Sequence, residues 1–269
     1  MKTTMGLLGL LVLSGTLAGQ ATAADQGTGG LYTGSSYVGV SLGYSTVVTD
    51  LLRTDGTLDG YPDFAPDEGM SMDAEGYALG AEVGQDWSQD HVVFGLFADL
   101  LLSNIQGQRF SRYGYSDVDT TPCVMGLCRN RDDDYFTLKN PALINAGARI
   151  GYDFGNLMVS VGGGLSVGQL ELAVVDDNSD SNGGVNDNGY GSGSDQKYAV
   201  GYNLKAGAEV PLTDSITVGM SYEYVHFDID GFKLGGPSNG YVTYDDVEYV
   251  VGLFEYRASR FAIDTKYRF

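Results

Sequence analysis

The sequence predicts an all-β protein: a transmembrane antiparallel up-and-down β-barrel of eight strands, with ten as the alternative. Three observations carry this reading. Apolar and small polar residues alternate with period two in eight separate segments. The links between those segments alternate long and short along the chain. The apolar rows end in aromatic residues. Composition fits. The 269 residues include 40 Gly, 19 Tyr and 11 Phe, with 15 Lys+Arg against 35 Asp+Glu for a formal net charge of -20. So negative a chain excludes binding to nucleic acid, whose phosphates demand a basic face. A hydrophobic content of 43% argues against wholesale disorder, and 6 Pro are too few for collagen.

The first segment reads as an address. Lys2 precedes an apolar run from Leu7 to Leu17, and Ala21, Thr22 and Ala23 supply the small residues of a cleavage site. The run is too short for a membrane-spanning helix. Residues 1–23 are therefore expected to be a signal peptide, and residues 24–269 the barrel domain. Cleavage removes one charge, Lys2, and takes the formal net charge from -20 to -21.

The strands follow in order. Val38, Val40, Leu42 and Tyr44 alternate with Gly39, Ser41 and Gly43. Tyr77, Leu79, Ala81, Val83 and Trp87 alternate with Gly80, Glu82, Gly84 and Asp86. The third, 92–102, is less clean: Val92, Phe94, Leu96, Ala98, Leu100 and Leu102 oppose Gly95 and Asp99, but also Phe97 and Leu101. In 142–154, Ala142, Ile144, Ala146, Ala148, Ile150, Tyr152 and Phe154 oppose Asn145, Gly147, Arg149, Gly151 and Asp153. In 157–167, Leu157, Val159, Val161, Leu165 and Val167 oppose Ser160, Gly162, Gly164 and Ser166. In 198–212, Tyr198, Val200, Tyr202, Leu204 and Val210 oppose Gly201, Asn203, Lys205, Gly207 and Glu209. Ile216, Val218, Met220, Tyr222 and Tyr224 alternate with Thr217, Gly219, Ser221 and Glu223. Last, Phe261, Ile263, Tyr267 and Phe269 alternate with Asp264, Lys266 and Arg268.

A soluble β-sandwich would also alternate, with its apolar rows facing each other. The polar rows favour a barrel. They hold mostly Gly, Ser, Asn and isolated charges, which suit a narrow interior. The terminal aromatics suit the girdles where hydrocarbon meets water. Closure also removes the sheet edges that lipid does not tolerate. The short links are Ser88–Asp90, Gly155–Asn156 and Thr213–Asp214; the long ones are about 47–74, 104–138, 174–196 and 229–258. That order places both termini in the periplasm and the long, acidic loops outside the cell.

Eight strands leave an interior just wide enough for side chains to fill. Parity places Glu82, Asp99, Arg149, Lys205, Glu223, Asp264 and Lys266 inside. These are expected to form a charge network that blocks free flow, since unpaired ions there would be expensive. A selectivity filter in a narrow pore is the alternative. Cys123 and Cys128, four residues apart in an exported chain, are expected to form a local disulfide.

The loops carry weaker signals. Asn178, Asp180, Asn182 and Gly183 match the first positions of a calcium loop, but the closing Glu is replaced by Gly189, so a solvated tract is expected and no metal site. Arg109, Arg112, Arg129 and Arg131 pair with Asp132–Asp134 or meet lipopolysaccharide phosphates. Tyr241–Phe254 has strand character, an extended hairpin or two further strands. Only His91 and His226 are present, neither with a nucleophile at useful spacing, so catalysis and cofactors are not expected.

Four stretches, Ala148–Phe154, Val161–Gly168, Gly201–Phe227 and Lys266–Phe269, give the chain a likeness to a known group. It resembles the small outer-membrane β-barrel superfamily, in particular the porin-family surface proteins of alpha-proteobacteria. The resemblance implies eight strands, insertion by the barrel assembly machinery and no enzymatic activity. It also implies that Tyr267 and Phe269 form the C-terminal signal which that machinery reads. The expected role is envelope integrity or surface interaction through the loops, in contact with outer-membrane lipids and lipopolysaccharide and with an unidentified extracellular partner. A narrow passive pore and a lipid-modifying enzyme are the alternatives.

Overall fold

The computed structural model describes residues 34–55, 70–110, 135–175, 193–234 and 249–269. They form eight strands: β1 (Ser36–Asp55), β2 (Met70–Gln89), β3 (Val92–Phe110), β4 (Tyr135–Asp153), β5 (Met158–Val175), β6 (Gly193–Pro211), β7 (Ile216–Leu234) and β8 (Tyr249–Arg268). Each pairs antiparallel with its neighbours in sequence, and β1 pairs with β8 to close the barrel. Phe269 completes the seam by donating its backbone N–H to the Ser36 carbonyl at 3.0 Å. The ten-strand alternative is thereby corrected: of the segment Tyr241–Phe254, read as an extended hairpin or two further strands, residues 249–254 are the first part of β8, and 241–248 lie outside the described residues.

The turns at one end are tight because local residues satisfy them. Asp90 takes a left-handed conformation between β2 and β3, with φ of 54°, a region that Asp tolerates better than most. Between β4 and β5, Gly155 has φ of 92° and donates its N–H to the Asp153 carboxylate at 2.7 Å. After β6, the Thr213 hydroxyl accepts the Ile216 N–H at 3.0 Å.

The strands run 18–20 residues, well past the ~11 needed to cross a bilayer. Much of 47–55, 70–74, 104–110, 135–138, 193–196, 229–234 and 249–258, read from sequence as loop, is strand. The cause is a phase inversion. On β5, Leu165 points outward and is 67% exposed, whereas Leu172 points inward and is 0% exposed. On β7, Met220 and Tyr222 are exposed, then Val225, Phe227 and Ile229 are buried, while His226 and Asp228 take the outer face. The same change occurs on β1 and β2, where Val47, Met72 and Ala74 are buried. Near the turns the barrel is apolar outside and polar inside. Beyond the upper ring of Tyr44, Tyr77, Tyr202 and Tyr224 it is polar outside and apolar inside. A strand in lipid must face hydrocarbon; a strand above lipid must bury its apolar side.

Bulges help the inversion. On β4 the inward row passes from Leu143 to the buried Asn140 and Leu138, and the register to β5 shifts between Lys139 and Ala142. Pro141 sits in that shift, where no ladder N–H is needed. On β7, Gly231 has φ of 54° between the inward Ile229 and Phe232.

Curvature demands glycine at close approaches. A Cβ on Gly201 would overlap the His226 carbonyl oxygen, and one on Gly164 the Ala146 carbonyl oxygen. Gly207 is roomier, its nearest atom being the Met220 carbonyl oxygen at 3.3 Å. Gly164→Val and Gly201→Val should therefore abolish the heat-modifiable gel shift of a closed barrel, while Gly207→Ala should retain it. Retention of the shift by both valine variants would contradict the close packing.

Candidate functional site

The inward rows of the lower barrel converge on a network of buried ions. Strand alternation puts Asp86 on β2, Arg149 on β4, Glu209 on β6 and Arg268 on β8 at one level near the turns. Arg149 grips Asp86 with two parallel bonds, Nε to Oδ1 at 3.0 Å and Nη2 to Oδ2 at 2.7 Å. Its third nitrogen, Nη1, donates to Glu209 at 2.8 Å. Arg268 repeats the arrangement, reaching Asp86 at 2.6 Å and Glu209 at 2.9 Å. The planar guanidinium suits such forked recognition. Lys266 adds contacts to Glu209 at 2.5 Å and Glu82 at 3.1 Å.

Tyr37 of β1 lies at the centre, 1% exposed. Its hydroxyl donates to Glu82 at 2.8 Å. Its ring faces three cations, with Lys266 at 4.9 Å, Arg149 at 5.0 Å and Arg268 at 5.2 Å from the centroid. A phenol ring accepts cations on its faces while its oxygen binds an anion, so one side chain serves both signs.

A second group lies a step higher. Lys205 bonds Glu82 and stands 3.8 Å from Asp99. Asn145 donates to both Asp99 at 2.9 Å and Glu223 at 2.8 Å, and accepts from Ser166 at 2.6 Å. Arg260 pairs with Glu223 at 2.8 Å. Asp264 accepts from the Ser221 hydroxyl at 3.1 Å. A cavity of about 20 Å³ opens among Glu82, Arg149, Ser160, Lys205, Glu209 and Asp264, room for a water or two.

Of the seven interior charges named from sequence, Glu82, Asp99, Arg149, Lys205, Glu223 and Lys266 are joined by ion pairs or through Asn145, and Asp264 by a hydroxyl. Sequence reasoning left out Asp86, Glu209, Arg268 and Arg260. Asp86, Glu209 and Arg268 stood in the polar rows already recognised, and parity alone would have found them. Arg260 precedes the point at which the last strand was taken to begin. Tyr37 and Asn145 carry no sequence signal of a role among ions. Among the described residues the network comprises six acids (Glu82, Asp86, Asp99, Glu209, Glu223, Asp264) and five bases (Arg149, Lys205, Arg260, Lys266, Arg268), while the buried Asp153 serves the β4–β5 turn.

Other residues named from sequence are placed as follows. Tyr267 and Phe269 are outward, 52% and 70% exposed, with ring centroids 6.4 Å apart. His91 bonds the Asp153 carbonyl at 3.0 Å beside a turn. His226 lies on the outer wall, 3.2 Å from Asp228 and stacked on Tyr202 at 5.1 Å. Cys123 and Cys128, the tract 176–189, Arg112, Arg129, Arg131, Asp132–Asp134 and residues 1–33 lie outside the described residues. Arg109 falls on β3.

A closed antiparallel barrel with an outward apolar band, aromatic rims and a packed polar lumen is a transmembrane β-barrel. The chain is thus an outer-membrane β-barrel protein of a Gram-negative envelope. It is similar to the 22 kDa outer membrane protein of Rhizobium leguminosarum bv. viciae, 25% identical over 176 residues, a match spanning 64% of this chain and 64% of that relative. No family model matches the chain. Among solved structures, the attachment invasion locus protein Ail of Yersinia pestis aligns over 88% of this chain and 99% of its own, at 13% identity and a TM-score of 0.37. OprG of Pseudomonas aeruginosa aligns over 90% and 99%, at 13% identity and a TM-score of 0.45.

Removing Arg149 would take away three charge-assisted hydrogen bonds, two to Asp86 and one to Glu209, and leave Arg268 and Lys266 as the cations of those buried carboxylates. Arg149→Ala should destabilise the barrel by about 3–5 kcal/mol, the range for breaking a buried pair, read as a lower urea midpoint for unfolding from detergent. Arg149→Lys, which cannot reproduce the fork, should recover only part of it.

Proposed function

We propose that this protein is a closed, non-enzymatic barrel that contributes to envelope integrity and presents its extracellular segments for surface interaction. The observation that carries this reading is the filled lumen. Charged residues from β2, β3, β4, β6, β7 and β8 bond one another across the interior. Above them Phe227, Leu138, Leu170 and Leu172 are 0% exposed. A lumen packed with side chains behaves as a core and not as a channel.

The outer surface supports a role set in lipid. Apolar side chains such as Leu42, Leu79, Leu165 and Ile263 are exposed together on the band, far more apolar area than a soluble monomer presents. Tyrosines at its upper limit meet the headgroup region, where lipopolysaccharide is the expected neighbour. Tyr267 and Phe269 remain the proposed assembly signal, outward and at the lower rim. His226 has the carboxylates of Asp228 and Glu255 beside it and the rings of Tyr202 and Tyr224 stacked on it, surroundings that support a structural role at the rim.

Planar-bilayer recordings of the refolded protein are the test. No steady single-channel conductance above the lipid background is expected. A reproducible open level that Arg149→Ala abolishes would replace this reading with that of a selective pore.

A further inference from the structure

The lumen is filled twice, by two layers of opposite chemistry. The lower layer is ionic. Two of its side chains keep some contact with solvent, 8% for Arg149 and 14% for Lys205, while Asp86 and Glu223 are as dry as the layer above, and the cavity of about 20 Å³ lies within it. The upper layer is mainly apolar, with Thr49 and Asn140 buried among its hydrocarbon side chains. Leu138, Leu170, Leu172, Phe227, Phe232 and Tyr256 converge there from β4, β5, β7 and β8, each at or below 1% exposed. Val47, Met72 and Ile105 extend it to β1, β2 and β3. The ring therefore draws on at least seven of the eight strands.

Resting on the reading of a closed barrel, we infer that the seal against water and ions is the apolar layer, set above the membrane band, and that the ionic layer is a wettable vestibule below it. Each layer contains side chains enough to narrow the lumen, but they exclude water differently. Carboxylates, ammonium groups and guanidinium groups bind water, and a gap among them holds it. An apolar constriction expels water and blocks ions even where a narrow path exists, because the ion would lose its hydration. The geometry places such a constriction where Phe227 packs over Gly168 and Gly201 and meets Tyr256 with ring centroids 5.5 Å apart. Phe227 is the inward neighbour of the outward His226, one step beyond the Tyr202 and Tyr224 rim.

The seal is tested by current through planar bilayers. Phe227→Ala with Phe232→Ala opens volume in the layer. Leu170→Asn keeps the branched shape and the number of heavy atoms but adds a group that holds water. Either should raise the current roughly ten-fold over the parent if an apolar constriction is the barrier. Glu223→Gln, which disturbs only the ionic layer, should stay at the parental level. The heat-modifiable gel shift is recorded for each variant, so that only closed barrels are compared. If Leu170→Asn and the double phenylalanine variant are both closed barrels and both silent, the inference fails while the closed-barrel reading stands. Conduction by Glu223→Gln would also overturn it. Steady conduction by the parent protein would overturn the reading itself.

Discussion

Hydrocarbon offers no partner for a backbone amide, and the rest of the structure follows from that constraint. Each N–H and C=O that enters the membrane must be satisfied within the protein. Eight strands meet the requirement only as a ring, with β1 bonded to β8. Closure fixes the diameter, and the diameter fixes the lumen as a space that side chains fill. Glycines such as Gly164 and Gly201 are then required because the coiled sheet brings carbonyl oxygens against the places their side chains would occupy. The charges inside face the same logic. Each ion taken from water must meet an opposite charge or a hydrogen-bonding group, which is why Arg149 and Arg268 are both shared between Asp86 and Glu209.

The two ends of the barrel solve different solvation problems with one continuous sheet. Within the bilayer the outer face must be apolar; above it, the inner face must be. Each strand that crosses the boundary therefore changes phase. The upper part is in effect a small soluble β-barrel, with a dry core around Phe227 and a polar exterior of residues such as Gln169, Glu171, Asp228 and Arg257. The inversion also sets the depth of the protein. Sliding it outward along the membrane normal would lift Leu165 and Ile263 into water, and sliding it inward would press Glu75 and Asp228 into hydrocarbon.

The strands within the membrane band were legible in the sequence because lipid imposes a strict period of two. Their upper halves were not. A phase change such as that between Val167 and Leu170 looks the same as a strand ending and a loop beginning, because the apolar row disappears from its expected positions. Leu170 and Leu172 thus fell between the strand read at 157–167 and the loop read at 174–196, and Arg260 was cut off from β8. The interior charges were visible as polar entries in alternating rows, but who pairs with whom depends on register and tilt. Glu82 and Lys205 are 123 positions apart in sequence, and nothing local connects them. Tyr37 was missed for a different reason: it shares the inward parity of Gly39 and Ser41, but only the closed ring shows three cations gathered around it.

The seam between β1 and β8 has a consequence for how the protein is made. Ser36 stands at the start of the first strand, and its carbonyl accepts the N–H of Phe269, just past the end of β8. Ribosomal synthesis and export deliver β1 first and β8 last of the eight strands, so the growing polypeptide cannot close the barrel before β8 arrives. Until then every strand pair carries two unpaired margins that invite association with other chains. Export must accordingly hold the polypeptide apart from itself and from lipid until β8 has crossed the inner membrane, and loss of β8 would leave an open sheet in place of a slightly smaller barrel.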